Sequence, residues 1–285
     1  MKIKEYGNKN NNTIMLLHGG GLSWWNYREV AERLQNKYHI ILPILDGHSD
    51  SDRSFSSIED NAQEIIDYIN NNYGGHIYLI GGLSLGAQIL LEILSRKKDI
   101  CNYAIIESAL TIPMNTTHKL IKPAFSMSYG LISKKWFSKL QFNSLRIKKE
   151  LFDEYYRDTC KIGKKDMIAF MKANSKYEIK SSLQDTDAKV VVVVGDKERT
   201  IMKKSAQRIH QTISGSEFLT LPNYYHGDFS INHPQEYVDM LDKIVGDKNK
   251  PLNDKITIDT EKNFENNRFP IKDKMNKSEK TSDER

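Results

Sequence analysis

Long apolar runs are missing from this 285-residue chain, and no window approaches the about 18 to 20 residues of a membrane-spanning helix. The opening MKIKEYGNKN holds no apolar core of a secretory leader, so no export signal is read there. Cysteine is scarce: Cys101 and Cys160 lie far apart, in no metal-ligand or redox spacing. A disulfide framework is thereby excluded, and two free thiols in a reducing compartment, the cytoplasm, are expected. Charge of one sign is also in short supply. The 42 Lys and Arg against 37 Asp and Glu leave a net +5, too mild to imply nucleic acid as a partner. No group of residues has metal-ligand spacing, so neither a metal nor an organic cofactor is expected. Nothing in the sequence speaks to oligomeric state.

What is present is enough apolar residue for a sizeable core, 39% before glycine is added. It is gathered into short β-branched runs: TIMLL (13–17), YHIILPIL (38–45), HIYLIG (76–81), YAIIES (103–108), KVVVVVG (189–195) and EFLTLP (217–222). These runs are continuous rather than alternating, as in strands buried on both faces of a parallel sheet. Helical patterns lie between them. From Ser57 to Tyr73, Ile58, Ala62, Ile65, Ile66 and Ile69 form one stripe behind a capping-box start at Ser57 and Asp60. Further helices are predicted over 88–97, 202–213 and 234–245. Strand and helix in alternation predict a doubly wound, mostly parallel α/β sheet, with ligands at the carboxyl ends of its strands.

The alternation breaks over about 112–182, which reads as helical and basic. Residues 115–180 hold 15 Lys and Arg against 6 Asp and Glu, a net +9. The expected division is a core of 1–111 and 183–246, an inserted helical cap of 112–182, and a charged, disordered tail of 247–285.

One stretch carries a chemical signal. In IGGLSLGAQ (80–88), Gly82 and Gly86 flank Ser84 between a strand and a helix. A sharp strand-to-helix turn leaves a serine hydroxyl exposed at the sheet edge, and neighbouring backbone leaves no room for a Cβ at the glycines. Earlier, His18-Gly19-Gly20-Gly21 follows the first long strand, where bare backbone amides can point at a developing oxyanion. The His18 side chain is expected to prop that loop.

With HGGGLSWW, then ILDGHSDS, then the serine turn after the next strand, the chain resembles an α/β-hydrolase, specifically the small capped esterase-type members. The resemblance covers about residues 1–246 and implies a serine, acid, histidine order along the chain. It implies Ser84 as nucleophile and His226, in YYHGDFSINHP, as base, with His210 and His233 outside the chemistry. The acid is Glu198, three residues after Gly195, or alternatively Asp196. The oxyanion amides are Leu85 and Gly20, or Gly21 in place of Gly20. Asp46 and His48 are expected to shape their loop. Trp24, Trp25, Phe125, Met127 and Tyr129 are candidates for an acyl pocket, to be weighed against ordinary packing. The implied activity is hydrolysis of a small or medium acyl ester through an acyl-enzyme. Thioester, carbon–carbon or peptide cleavage, or non-catalytic binding of a small molecule, stand as alternatives.

Overall fold

A computed structural model describes residues 1–246; the segment expected to be a tail, 247–285, lies outside the described residues. Seven strands form one sheet: β1 (Ile3–Tyr6), β2 (Thr13–Leu17), β3 (His39–Pro43), β4 (Ile77–Leu83), β5 (Cys101–Glu107), β6 (Lys189–Gly195) and β7 (Glu217–Leu221). Their order across the sheet is β1-β3-β2-β4-β5-β6-β7. All neighbours pair in parallel except β1, which runs antiparallel to β3 with Ile3 opposite Pro43. The apolar runs account for β2 to β7. No apolar run signals β1: IKEY is polar and half exposed, as an edge strand tolerates.

Helices cover both faces. The first, α1 (Arg28–Leu34), precedes β3. Next, α2 (Ile58–Tyr73) starts where the Ser57 hydroxyl accepts from the Asp60 amide at 3.0 Å, and ends on Gly74 in the left-handed region. Helix α3 (Leu85–Arg96) is buried from Leu85 through Leu94, so polarity cannot define one face of it. Each buried Leu or Ile there contributes about 1.5–3 kcal/mol.

Between β5 and β6 come four helices: α4 (Asn115–Ser128), α5 (Lys135–Leu145), α6 (Phe152–Lys161) and α7 (Lys164–Lys176). They rest on the sheet body through a few buried polar anchors. Trp25 Nε1 donates to Asp158 at 2.9 Å, Ser49 Oγ donates to the same carboxylate at 3.1 Å, and the Phe55 amide donates to Asp166 at 2.9 Å. Buried Gln88 ties α3 to α7, donating to the Asn174 carbonyl at 3.0 Å and accepting from the Asn174 amide side chain at 3.0 Å. After β6 come α8 (Thr200–Thr212), the short α9 (Asp228–Asn232) and α10 (Pro234–Gly246). Among the described residues no helix is long and apolar enough to cross a membrane.

Candidate active site

β4 ends at Leu83, and Ser84 follows at φ +53°, a conformation that L side chains adopt rarely. Two features hold it there. Its amide donates to the Glu107 carbonyl at 2.9 Å, and its carbonyl accepts from the Gln88 amide at 3.0 Å as α3 begins. The flanking glycines are obligatory: a Cβ on Gly82 would sit 2.6 Å from the Gly86 carbonyl oxygen, and one on Gly86 would sit 2.2 Å from that of Leu17. The turn is therefore tight because β4, β2 and α3 meet at backbone contact.

His226 follows β7 and lies before α9. Its Nε2 is 3.1 Å from Ser84 Oγ, and its Nδ1 is 2.8 Å from Glu198 Oε2. The Glu198 carboxylate is fully buried, while the imidazole is about half exposed. The other oxygen of Glu198 accepts from the Gly195 amide at 2.9 Å and from the Ser108 hydroxyl at 2.7 Å. Burial works against ionisation of Glu198, yet hydrogen bonds from His226, Gly195 and Ser108 outweigh it and set its pKa below the ordinary value. Asp196 is turned elsewhere: its carboxylate accepts from the Asn223 amide at 2.7 Å and lies 3.6 Å from the Lys197 ammonium. Of the two carboxylates, the fold brings Glu198 to the histidine.

Gly20 and Leu85 both line a cavity with Ser84. Leu85 is the first residue of α3, where an amide has no carbonyl one turn back. Among the described residues no acceptor takes the Gly20 amide, whereas the Gly21 amide donates to His48 Nε2 at 3.0 Å. Because His48 Nε2 accepts, its proton is on Nδ1, which donates to the Asp46 carbonyl at 3.0 Å. His18 is set the same way, with Nε2 accepting from Leu45 and Nδ1–H donating to Gly19. Burial drives both histidines to the neutral form, His18 to about 3 and His48 to about 4. They brace the glycine loop.

Two chambers open on Ser84 and His226. The first, about 250 Å³, is walled by Leu22, Leu145, Ile147, Phe170 and Ile231. The second, about 290 Å³, is walled by Met114, Thr117, Ile121, Arg199 and Met202. Met171 and Asn174 of α7 line both. The acyl-pocket candidates from the sequence are mostly elsewhere. Trp25 is buried with its indole on Asp158, and Trp24 lies under the Lys4 ammonium, 5.5 Å from its ring. Met127 is 87% exposed, and the Tyr129 hydroxyl donates to the Ile162 carbonyl at 2.7 Å. Phe125 lines a smaller neighbouring pocket with Gly20 and Phe170. Apolar character near a loop did not reveal which way these side chains point, and aliphatic residues form most of the walls.

Two residues at the end of β5 went unnoticed in the sequence. Ser108, at φ +54°, holds Glu198 as described. Glu107 is fully buried and accepts from the Ser230 amide at 3.2 Å, four residues beyond His226. Burial raises its pKa to about 7, with Ser230 pulling it down and the charge of Glu198 pushing it up. The pair thus touches the serine turn, the acid and the histidine loop. No motif marks them, and only a residue's place at a strand's carboxyl end could have pointed there.

The comparisons with known proteins bear on the family and the fold. The sequence profile described as the Alpha/beta hydrolase family matches residues 14–240. No curated protein matches the chain in sequence. An esterase from Exiguobacterium antarcticum is 15% identical at a TM-score of 0.73, covering 86% of this chain and 95% of that one. A thermophilic esterase from Thermogutta terrifontis is 14% identical at 0.71, covering 86% and 92%. Bromoperoxidase from Bacillus anthracis is 15% identical at 0.72, covering 86% and 95%. At such identities the likeness is one of fold, and the family profile, spanning most of the chain, supplies the assignment: the chain belongs to the alpha/beta hydrolase family.

Proposed function

We propose that the protein is a serine hydrolase acting on a small or medium acyl ester through an acyl-enzyme. The observation that carries this reading is the unbroken line from Ser84 Oγ to His226 at 3.1 Å and from His226 to Glu198 at 2.8 Å, opening on two chambers.

Glu198 is ionised at neutral pH, so His226 keeps its proton on Nδ1 and offers a bare Nε2 to the serine. As Ser84 Oγ attacks the carbonyl carbon, its proton moves to Nε2, and the buried carboxylate stabilises the imidazolium. The Gly20 and Leu85 amides receive the developing oxyanion, each such donor contributing about 3–4 kcal/mol at the transition state. Collapse expels the alcohol, which takes the proton from His226. Water, deprotonated by His226, then attacks the acyl-Ser84 ester, and the acid leaves with Ser84 restored. The apolar first chamber suits a hydrocarbon group on one side of the ester. The second chamber houses the other side.

The test is labelling by a fluorophosphonate probe, followed by hydrolysis of a 4-nitrophenyl ester series. Labelling should require Ser84 and His226, fall with Glu198→Ala and persist with Asp196→Ala. A folded native chain that takes no label would refute the nucleophile.

A further inference from the structure

Among the described residues, every large apolar side chain exposed to solvent lies between residues 120 and 145: Leu120, Met127, Leu131, Trp136, Leu140 and Leu145. They sit on α4, on the turn after it and on α5. Met127 is 87% exposed, Trp136 65% and Leu140 63%. Trp136 and Leu140 are four residues apart on α5, hence on one face, while Ser138 and Phe142 point inward. A water-facing helix surface is ordinarily polar, so this arrangement calls for a partner.

The same stretch is strongly one-signed. From 111 to 149 there are eight Lys and Arg and no Asp or Glu. Lys119, Lys122, Lys134, Lys139 and Lys149 are exposed and, among the described residues, have no ion pair. Exposed Trp, Leu and Met interspersed with unpaired lysines on short helices is the pattern of a surface that settles into the headgroup region of an anionic bilayer. A second copy of the chain is a poor occupant, because a twofold contact would set these like charges against each other. Leu145 links the patch to the interior: it is 42% exposed and also walls the first chamber.

We infer that the α4–α5 face is a docking surface for an anionic lipid bilayer, with Trp136 and Leu140 entering the interface and the lysines supplying the electrostatic attraction. It places Leu145, which also walls the apolar chamber, at the membrane surface. The surface is assayed by binding alone, so it stands or falls separately from the catalytic reading.

The experiment is co-sedimentation of the full chain with vesicles of phosphatidylcholine alone or with about a third phosphatidylglycerol. The expected result is at least tenfold stronger partitioning onto the anionic vesicles, and at least a fivefold loss in 0.5 M salt. Trp136→Ser/Leu140→Ser and Lys134→Glu/Lys139→Glu should each weaken it at least tenfold. Both pairs are exposed, so the variants should fold, which circular dichroism checks. A blue shift of tryptophan fluorescence on binding, absent from Trp136→Phe, would locate the contact. No preference for anionic vesicles, or binding indifferent to both double variants, overturns the inference. So does a dimer in solution that Trp136→Ser/Leu140→Ser dissociates, since the face would then be a self-interface.

Discussion

The carboxyl edge of the sheet and the four helices inserted above it obey different rules. At the sheet edge, each candidate catalytic group has a defined partner: Ser84 with His226, His226 with Glu198, and Glu198 with Ser108 and Gly195. Little there is free to move, since a methyl group at Gly86 would strike the Leu17 carbonyl oxygen at 2.2 Å. In the inserted helices, Lys119, Lys122, Lys134, Lys139 and Lys149 have no ion pair among the described residues, and several large apolar side chains face water. Precision is concentrated where bonds would be made and broken, and tolerance where substrates or surfaces would be met.

Changes at the sheet edge should therefore be costly and changes on the insertion mild, and five expectations test that contrast from the largest effect down. Ser84→Ala should lower kcat by about 10⁴–10⁶, and Glu198→Ala by about 10³–10⁴, while Asp196→Ala stays within a few-fold. Ester turnover by purified, folded variants decides this, and equal losses at Glu198 and Asp196 would break the assignment of the acid. Gly86→Ala should cost about 3 kcal/mol or more of stability, because the clash is with backbone that cannot turn aside. Urea denaturation reads that effect.

Glu107 gives a pH signature. Its carboxyl, raised from an ordinary 4.5 to about 7, is protonated in both folded and unfolded chains below pH 4.5. Between there and about 7 only the unfolded chain releases the proton, so stability falls as pH rises, and above about 7 the loss is complete. It amounts to on the order of 3 kcal/mol. Glu107→Gln should remove that share of the difference between urea midpoints at pH 5 and pH 8; an unchanged difference would show that Glu107 does not titrate there. Ser108→Ala removes one of the hydrogen bonds to the Glu198 carboxylate and should slow turnover about tenfold, with the acidic limb of the rate profile moved upward. Finally, Lys165→Ala on α7, exposed and without an ion pair among the described residues, should change stability by less than about 0.5 kcal/mol. A larger effect would mean that the insertion is as tightly constrained as the sheet edge.

Much of this was visible in the primary structure for a simple reason. A strand buried along its length must be apolar throughout, so β2, β3, β4 and β6 announce themselves; β5 and the partly exposed edge strand β7 still carry apolar runs, whereas the polar edge strand β1 carries none. The glycines around Ser84 are similarly legible, because a backbone contact leaves no alternative residue. The trailing histidine could be located by its position after the last strand. The chamber walls were not legible. Trp24 and Met127 are as apolar as Leu22 and Phe170, and only packing determines which of them face the cavity.

The sequence by itself determined the order of strands and helices, the serine turn and the basic, helical character of the insertion, all of which depend on residues close together in the chain. The tertiary structure alone decided that Glu198 rather than Asp196 meets His226, that Gly21 is engaged by His48 while Gly20 faces the cavity, and that Glu107 and Ser108 brace the site. Those outcomes depend on a few tenths of an ångström between segments separated by tens to more than a hundred residues, such as Ser108 and Glu198 or Ser84 and His226. Hydrogen bonds and burial discriminate at that scale, and no local pattern of residue types records it.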